Sequence, residues 1–133
     1  MPIERDSEDW KNGREPQMIE ARVVDFLSTH SDKAFTLREL ANEMEVADWA
    51  GAKQWTVDSY ELDHDELKEK YSSDHPTPRT EINPTCRFLI ILRQLSQRGI
   101  IEIREVDAVA FDDSYILPNE DKVEITTIAY SAD

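Results

Sequence analysis

The chain has 133 residues, 29 acidic against 15 basic, for a formal net charge of −14. That length suits one domain able to bury roughly two thirds of its unfolded surface, and the single cysteine, Cys86, excludes an intramolecular disulfide. No apolar run approaches the roughly 20 residues needed to cross a bilayer, and the opening MPIERD lacks the basic-then-apolar order of a signal peptide, so a soluble, cytoplasmic protein is expected.

Residues 1–16 hold little apolar material beyond Ile3 and Trp10, and with Asn12-Gly13 and two prolines they read as a flexible arm. After Pro16, Ile19, Val23, Phe26 and Leu27 fall at i, i+4, i+7 and i+8, a stripe that predicts a helix over about residues 17–30. Thr36-Leu37-Arg38-Glu39 has the spacing of a capping box, with Phe35 and Leu40 as its apolar staple, and starts a helix over about 37–45. Between 46 and 83 only one helix is well marked: Asp63 caps it, Glu66 completes the box, and it runs to about Tyr71. The remainder of that segment, through SSDHPTP, reads as loop.

The next helix is expected over Asn83–Arg98, with Asn83 as cap, Pro84 in the first turn and Gly99 just past the end. At 100° per residue Phe88, Ile91, Leu92 and Leu95 form its buried stripe, to be packed against Val23, Phe26, Leu40 and Met44, while Arg93, Gln94, Gln97, Cys86 and Ile90 lie on the other side. Ile101 and Ile103 then alternate with Glu102 and Arg104 as a half-buried strand, and Val123, Ile125 and Thr127 do the same near the end. A third short strand is expected within 111–117, and a turn at Pro118-Asn119-Glu120-Asp121. No internal repeat or low-complexity tract is present.

Charge is not uniform along this layout. Residues 1–78 carry −10 and residues 105–133 carry −7, yet 79–104 carry five arginines against two glutamates, a local +3. Dispersed acidity with only six lysines is the composition expected of a protein kept soluble in a high-salt cytoplasm, where screening acts within about 3 Å at 1 M. The chain is therefore expected to come from a halophile.

The order helix, capped helix, arginine-bearing helix, glycine and β-hairpin resembles a winged helix-turn-helix domain, and "LRQLSQRGIIEI" resembles a recognition helix running into the wing. Within that superfamily "FTLREL", "ILRQLSQRGIIEI" and "YIL" resemble the C-terminal winged-helix module of Dam-replacing, methyl-directed restriction endonucleases. The resemblance covers about 17–130 for the superfamily and 35–117 for the family. It implies an α+β winged-helix fold and binding of double-stranded DNA. Arg87, Arg93, Gln94, Gln97 and Arg98 would contact bases or phosphates, with Arg104 or Lys122 from the wing. One departure is plain: 38 residues, Val46 to Asn83, separate the capped helix from the arginine helix, where a simple helix-turn-helix has a turn of about 3–4. The helix after Asp63 competes as recognition helix, but Asp65, Glu66 and Glu69 would meet phosphates with like charge.

Set against this, 29 carboxylates offer the arginines partners everywhere, so an ordinary ion-paired surface is the plain alternative. Leu89 and Ile90 fall off the main stripe, which suggests a cover from the 46–83 segment or from a second subunit in a homodimer. His30, His64, His75 and Cys86 show no zinc-ligand spacing, and no metal or cofactor is expected. Cys86 reads as a small buried thiol, and Trp49 and Trp55 as core aromatics more readily than as walls of a ligand pocket. His64-Asp65-Glu66-Leu67 spells a retention signal but is internal. No nucleophile elbow, phosphate loop or HExxH pair is present, so no enzymatic activity is expected. The expected function is a DNA-binding, transcription-associated regulator. The alternatives are a winged-helix protein–protein interaction module and, third, an accessory to DNA processing like the restriction-linked modules.

Overall fold

Side-chain caps set where several helices of this chain begin. In the computed structural model, which describes residues 1–13, 18–111 and 124–131, nine helices and strands longer than three residues or paired into the sheet follow in order. They are α1 (Glu8–Lys11), α2 (Ile19–Thr29), β1 (Ala34–Thr36), α3 (Leu37–Glu43), α4 (Trp49–Glu61), α5 (His64–Lys70), α6 (Pro78–Gln97), β2 (Ile101–Asp107) and β3 (Glu124–Tyr130), with a short 3-10 turn at Ala108–Ala110. Reciprocal capping boxes start α3 from Thr36 and Glu39, α5 from Asp63 and Glu66, and α6 from Thr77 and Thr80. Each satisfies two amides that the first helical turn would otherwise leave orphaned.

The three strands form one antiparallel sheet in the order β1-β3-β2. Ile128 at its centre lies opposite Phe35 on one side and Ile103 on the other, and is fully buried. The core against it joins Val23 and Leu27 from α2, Leu40 and Ala41 from α3, Trp49 and Ala52 from α4, Phe88, Leu92 and Leu95 from α6, and Ile101. The expected packing of α6 on Val23, Leu40 and Met44 is present, with Phe26 at its edge and Ile91 half-buried.

Four expectations need correction. The arginine helix starts at Pro78, not at Asn83, because Thr77-Pro78 repeats the cap-then-proline order of Asn83-Pro84 earlier in the chain and Thr80 completes the box there. Pro84 is consequently inside the helix, where it has no amide to offer the Thr80 carbonyl. Residues 49–61, expected without a helix, form α4, whose buried positions Trp49, Ala52, Thr56 and Asp58 mix apolar and polar side chains and so give little periodic signal. Cys86 is exposed, since it sits on the outward face of α6. Finally, Ala34–Thr36 is a strand, too short to show alternation and held by its pairing with β3.

Both helices that matter most end on left-handed residues. Gly99 (φ 76°) closes α6, with the Ile100 amide on the Leu95 carbonyl at 3.1 Å, and turns the chain directly into β2. Glu45 (φ 60°) does the same for α3, with Val46 on Ala41 at 2.9 Å. The strand expected within 111–117, the turn at 118–121, and Lys122 and Val123 lie outside the described residues, apart from Phe111.

Candidate functional site

From Ile82 to Ile101 the sequence contains no carboxylate, and the helical period turns this stretch into two faces. Thr85, Phe88, Leu92 and Leu95 point into the core. Asn83, Cys86, Arg87, Ile90, Arg93, Gln94, Gln97 and Arg98 are exposed. With a rise of about 1.5 Å per residue, Arg87 to Arg98 extends over roughly 16 Å of helix axis. The fold therefore brings Arg87, Arg93, Gln94, Gln97 and Arg98 onto one continuous surface. Arg87, Arg93 and Arg98 have no carboxylate within ion-pair distance among the described residues.

Arg104 stands apart on β2, its side chain 77% exposed and its Nη2 3.5 Å from Oε2 of Glu102 on the same strand face. An ion pair this solvated is weak and readily exchanged. Gln94, Gln97 and Arg98 also border an open cleft of about 600 Å³ facing Met18 and Glu20 at the start of α2.

The 46–83 segment does not cover Arg93 or Gln97. It is fastened to the first half of α6 instead: the Asp48 amide donates to Glu81 Oε1 at 2.9 Å, and the Trp49 indole Nε1 donates to Thr85 Oγ1 at 2.8 Å. Trp49 is 1% exposed, and the Arg38 guanidinium lies 4.2 Å from its ring centroid. Trp49 is thus a core aromatic as expected, with its one polar atom satisfied.

α4 and α5 are joined by a polar knot around Asp58. Its carboxylate accepts from Lys70 Nζ at 2.7 Å, from the Tyr71 hydroxyl and from Gln54 Nε2 at 3.3 Å. The Lys70 contact, followed by that of Tyr71, holds the Asp58 carboxyl below its usual range against the opposing effect of burial. The same bond raises Lys70, and the bond to Asp58 with help from burial raises Tyr71. Beside this knot Trp55, His64, Leu67, Lys68, Tyr71 and His75 line a second open cleft of about 550 Å³. The sequence carried a usable signal for it, since His64, Leu67, Lys68 and Tyr71 recur at i, i+3, i+4 and i+7 on α5, but Trp55 joins them only through the unexpected α4.

The remaining candidates have local roles. His30 Nδ1 is 2.8 Å from the Phe26 carbonyl and its ring packs with Phe26 and Phe35. Among the described residues no group of three or more His, Cys, Asp or Glu is placed to hold a metal ion, and no helix is long and apolar enough to cross a membrane. No protein-family model matches the chain, and neither a curated protein nor a solved structure matches it significantly.

Proposed function

We propose that this chain is a non-enzymatic winged-helix protein that binds double-stranded DNA, with α6 entering the major groove and the β2–β3 hairpin serving as the wing. The observation that carries the reading is the exposed set Arg87, Arg93 and Arg98 along α6 and its C-cap, none with a carboxylate partner among the described residues, in a chain of 29 acids. Two features of the architecture support it. The order α2-β1-α3-α6-β2-β3, with α4 and α5 inserted after α3, and the antiparallel sheet order β1-β3-β2 support the winged-helix reading. The insert also packs on the Glu81–Thr85 end of α6 and leaves Arg93 and Gln97 open. Arginine suits guanine and glutamine suits adenine as bidentate partners, and Arg87 or Arg98 supplies phosphate contacts. The role we assign to it is transcription regulation.

The test is selection from a random duplex pool over a range of salt concentrations in which the protein stays folded. Enrichment of a site is expected. Arg93→Ala or Gln97→Ala then relaxes one base position by about 1–3 kcal/mol, whereas Arg104→Ala weakens all sequences alike. No enrichment at any such salt overturns the DNA reading. The second reading, a protein–protein interaction module, is favoured by Ile82 and Ile90, which are 49% and 56% exposed on the outward side of α6. It becomes the better one if no duplex is selected and Ile90→Asp abolishes capture of a partner.

The acidity of the chain supports origin in a high-salt cytoplasm, where counterion release contributes little and base contacts carry more of the affinity. Thermal melts should rise with added salt as repulsion among the carboxylates is screened. A melting temperature indifferent to salt contradicts this origin.

A further inference from the structure

We propose that the cleft between α4 and α5 is a binding site for a small planar aromatic carboxylate. The argument starts from the face pattern of α5. His64, Leu67, Lys68 and Tyr71 share one side of the helix and line the cleft, while Asp65, Glu66 and Glu69 fall on the others and do not. Residues 55–77 carry seven acidic side chains against two lysines, yet among the described residues the lining holds a lysine and two histidines and no carboxylate. Lys68 has no carboxylate partner among the described residues. Of the carboxylates bonded to lining residues, Asp58 is engaged by Lys70 and Tyr71, and Asp74 accepts from the Ser73 hydroxyl at 3.1 Å and is exposed to solvent.

The walls select a flat ligand. Trp55 and Leu67 are half-buried and supply apolar area, and Tyr71 and His75 pack against each other with ring centroids 4.3 Å apart and planes tilted by 43°. Both of those rings are fixed before any ligand arrives, Tyr71 through its hydroxyl on Asp58 and His75 through Nε2, 3.2 Å from the Gly51 carbonyl. Fixed aromatic walls around an unpartnered ammonium recognise a planar anion with little ordering cost. A volume of about 550 Å³ accommodates one or two fused rings. The inference is independent of whether α6 binds DNA.

Calorimetric titration of the full chain with 2-naphthoate and with its neutral counterpart 2-naphthamide tests it, at the lowest salt that leaves the circular dichroism spectrum unchanged. The expected result is one saturable naphthoate site at least about tenfold tighter than for the amide, the difference expected of a single charge-assisted contact. Lys68→Gln, at an exposed position that does not threaten folding, should erase the preference, and Trp55→Ala should weaken both ligands. Equal affinity for acid and amide, a preference that survives Lys68→Gln, or no binding at millimolar ligand overturns the proposal.

Discussion

α6 and α4 lie side by side and are held by different physics. α6 is amphipathic: Phe88, Leu92 and Leu95 are at most 2% exposed, and the cations stand opposite them. α4 has no such segregation. It buries Trp49 and Ala52 but also Thr56 and Asp58, and it is fixed by bonds to distant residues: Trp49 to Thr85, Asp48 to Glu81, Asp58 to Lys70 and Tyr71. A helix stabilised by apolar burial announces itself in the sequence and leaves its other face available for function. A helix stabilised by directional polar contacts shows little of itself until its partners are in place.

The largest expected effect comes from the apolar side of this contrast. Leu92→Ala removes a fully buried side chain at the centre of the α6 packing and should cost about 2–5 kcal/mol in urea unfolding, through lost transfer energy and a residual cavity. A loss below about 0.5 kcal/mol would mean that α6 is not the core helix.

Next comes the polar side. Thr85→Val should cost about 1–3 kcal/mol because it strands the buried Trp49 indole N–H. Trp49→Phe should cost less in the Thr85→Val background than alone, since the indole N–H is already stranded there, and the double-mutant cycle measures the coupling. A strictly additive cycle would show that the bond contributes nothing to docking α4.

Asp58→Asn should have a smaller effect whose signature is its pH dependence. The folded Asp58 carboxyl sits below 3.8, so its contribution is present above that value and is lost as pH falls through the lowered one. Tyr71 and Lys70 are raised above 10.0 and 10.5, so their contributions hold below those values and fade as pH rises through the raised ones. The gap between wild type and variant in thermal melts should therefore be widest around neutral pH and close toward strong acid. A gap constant across the range would break the link between the knot and α4–α5 docking.

The smallest effect expected is a gain. Glu45→Gly at φ 60° relieves a left-handed residue after α3 and should stabilise by up to about 1 kcal/mol, less whatever the freer unfolded chain recovers. A loss would mean that the Glu45 side chain contributes more than its backbone strain removes.

Most of the signals legible in the sequence have their determining partners within four residues. The boxes at Thr36–Glu39 and Asp63–Glu66, the glycine after α6, the core stripe at Phe88, Leu92 and Leu95, and the arginine-bearing outward face were all readable in this way. So was the strand at Ile101–Ile103. Asn83-Pro84 misled because cap-then-proline is a local rule satisfied twice, and the contacts of Glu81 and Thr85 with α4 extend the helix back to Pro78. β1 was not legible because three residues cannot alternate, and its identity as a strand is conferred by Ile128 on a partner some 90 residues away. The sequence by itself determined the amphipathic stripes, the capped starts of α3 and α5, the glycine end of α6 and the local reversal of charge, since these depend on residue spacing alone. Only the tertiary structure decided that α4 exists, that it leaves Arg93 and Gln97 open, and that Trp55 meets the α5 stripe across a cleft, because the bonds that settle those points join residues 12 to 36 positions apart.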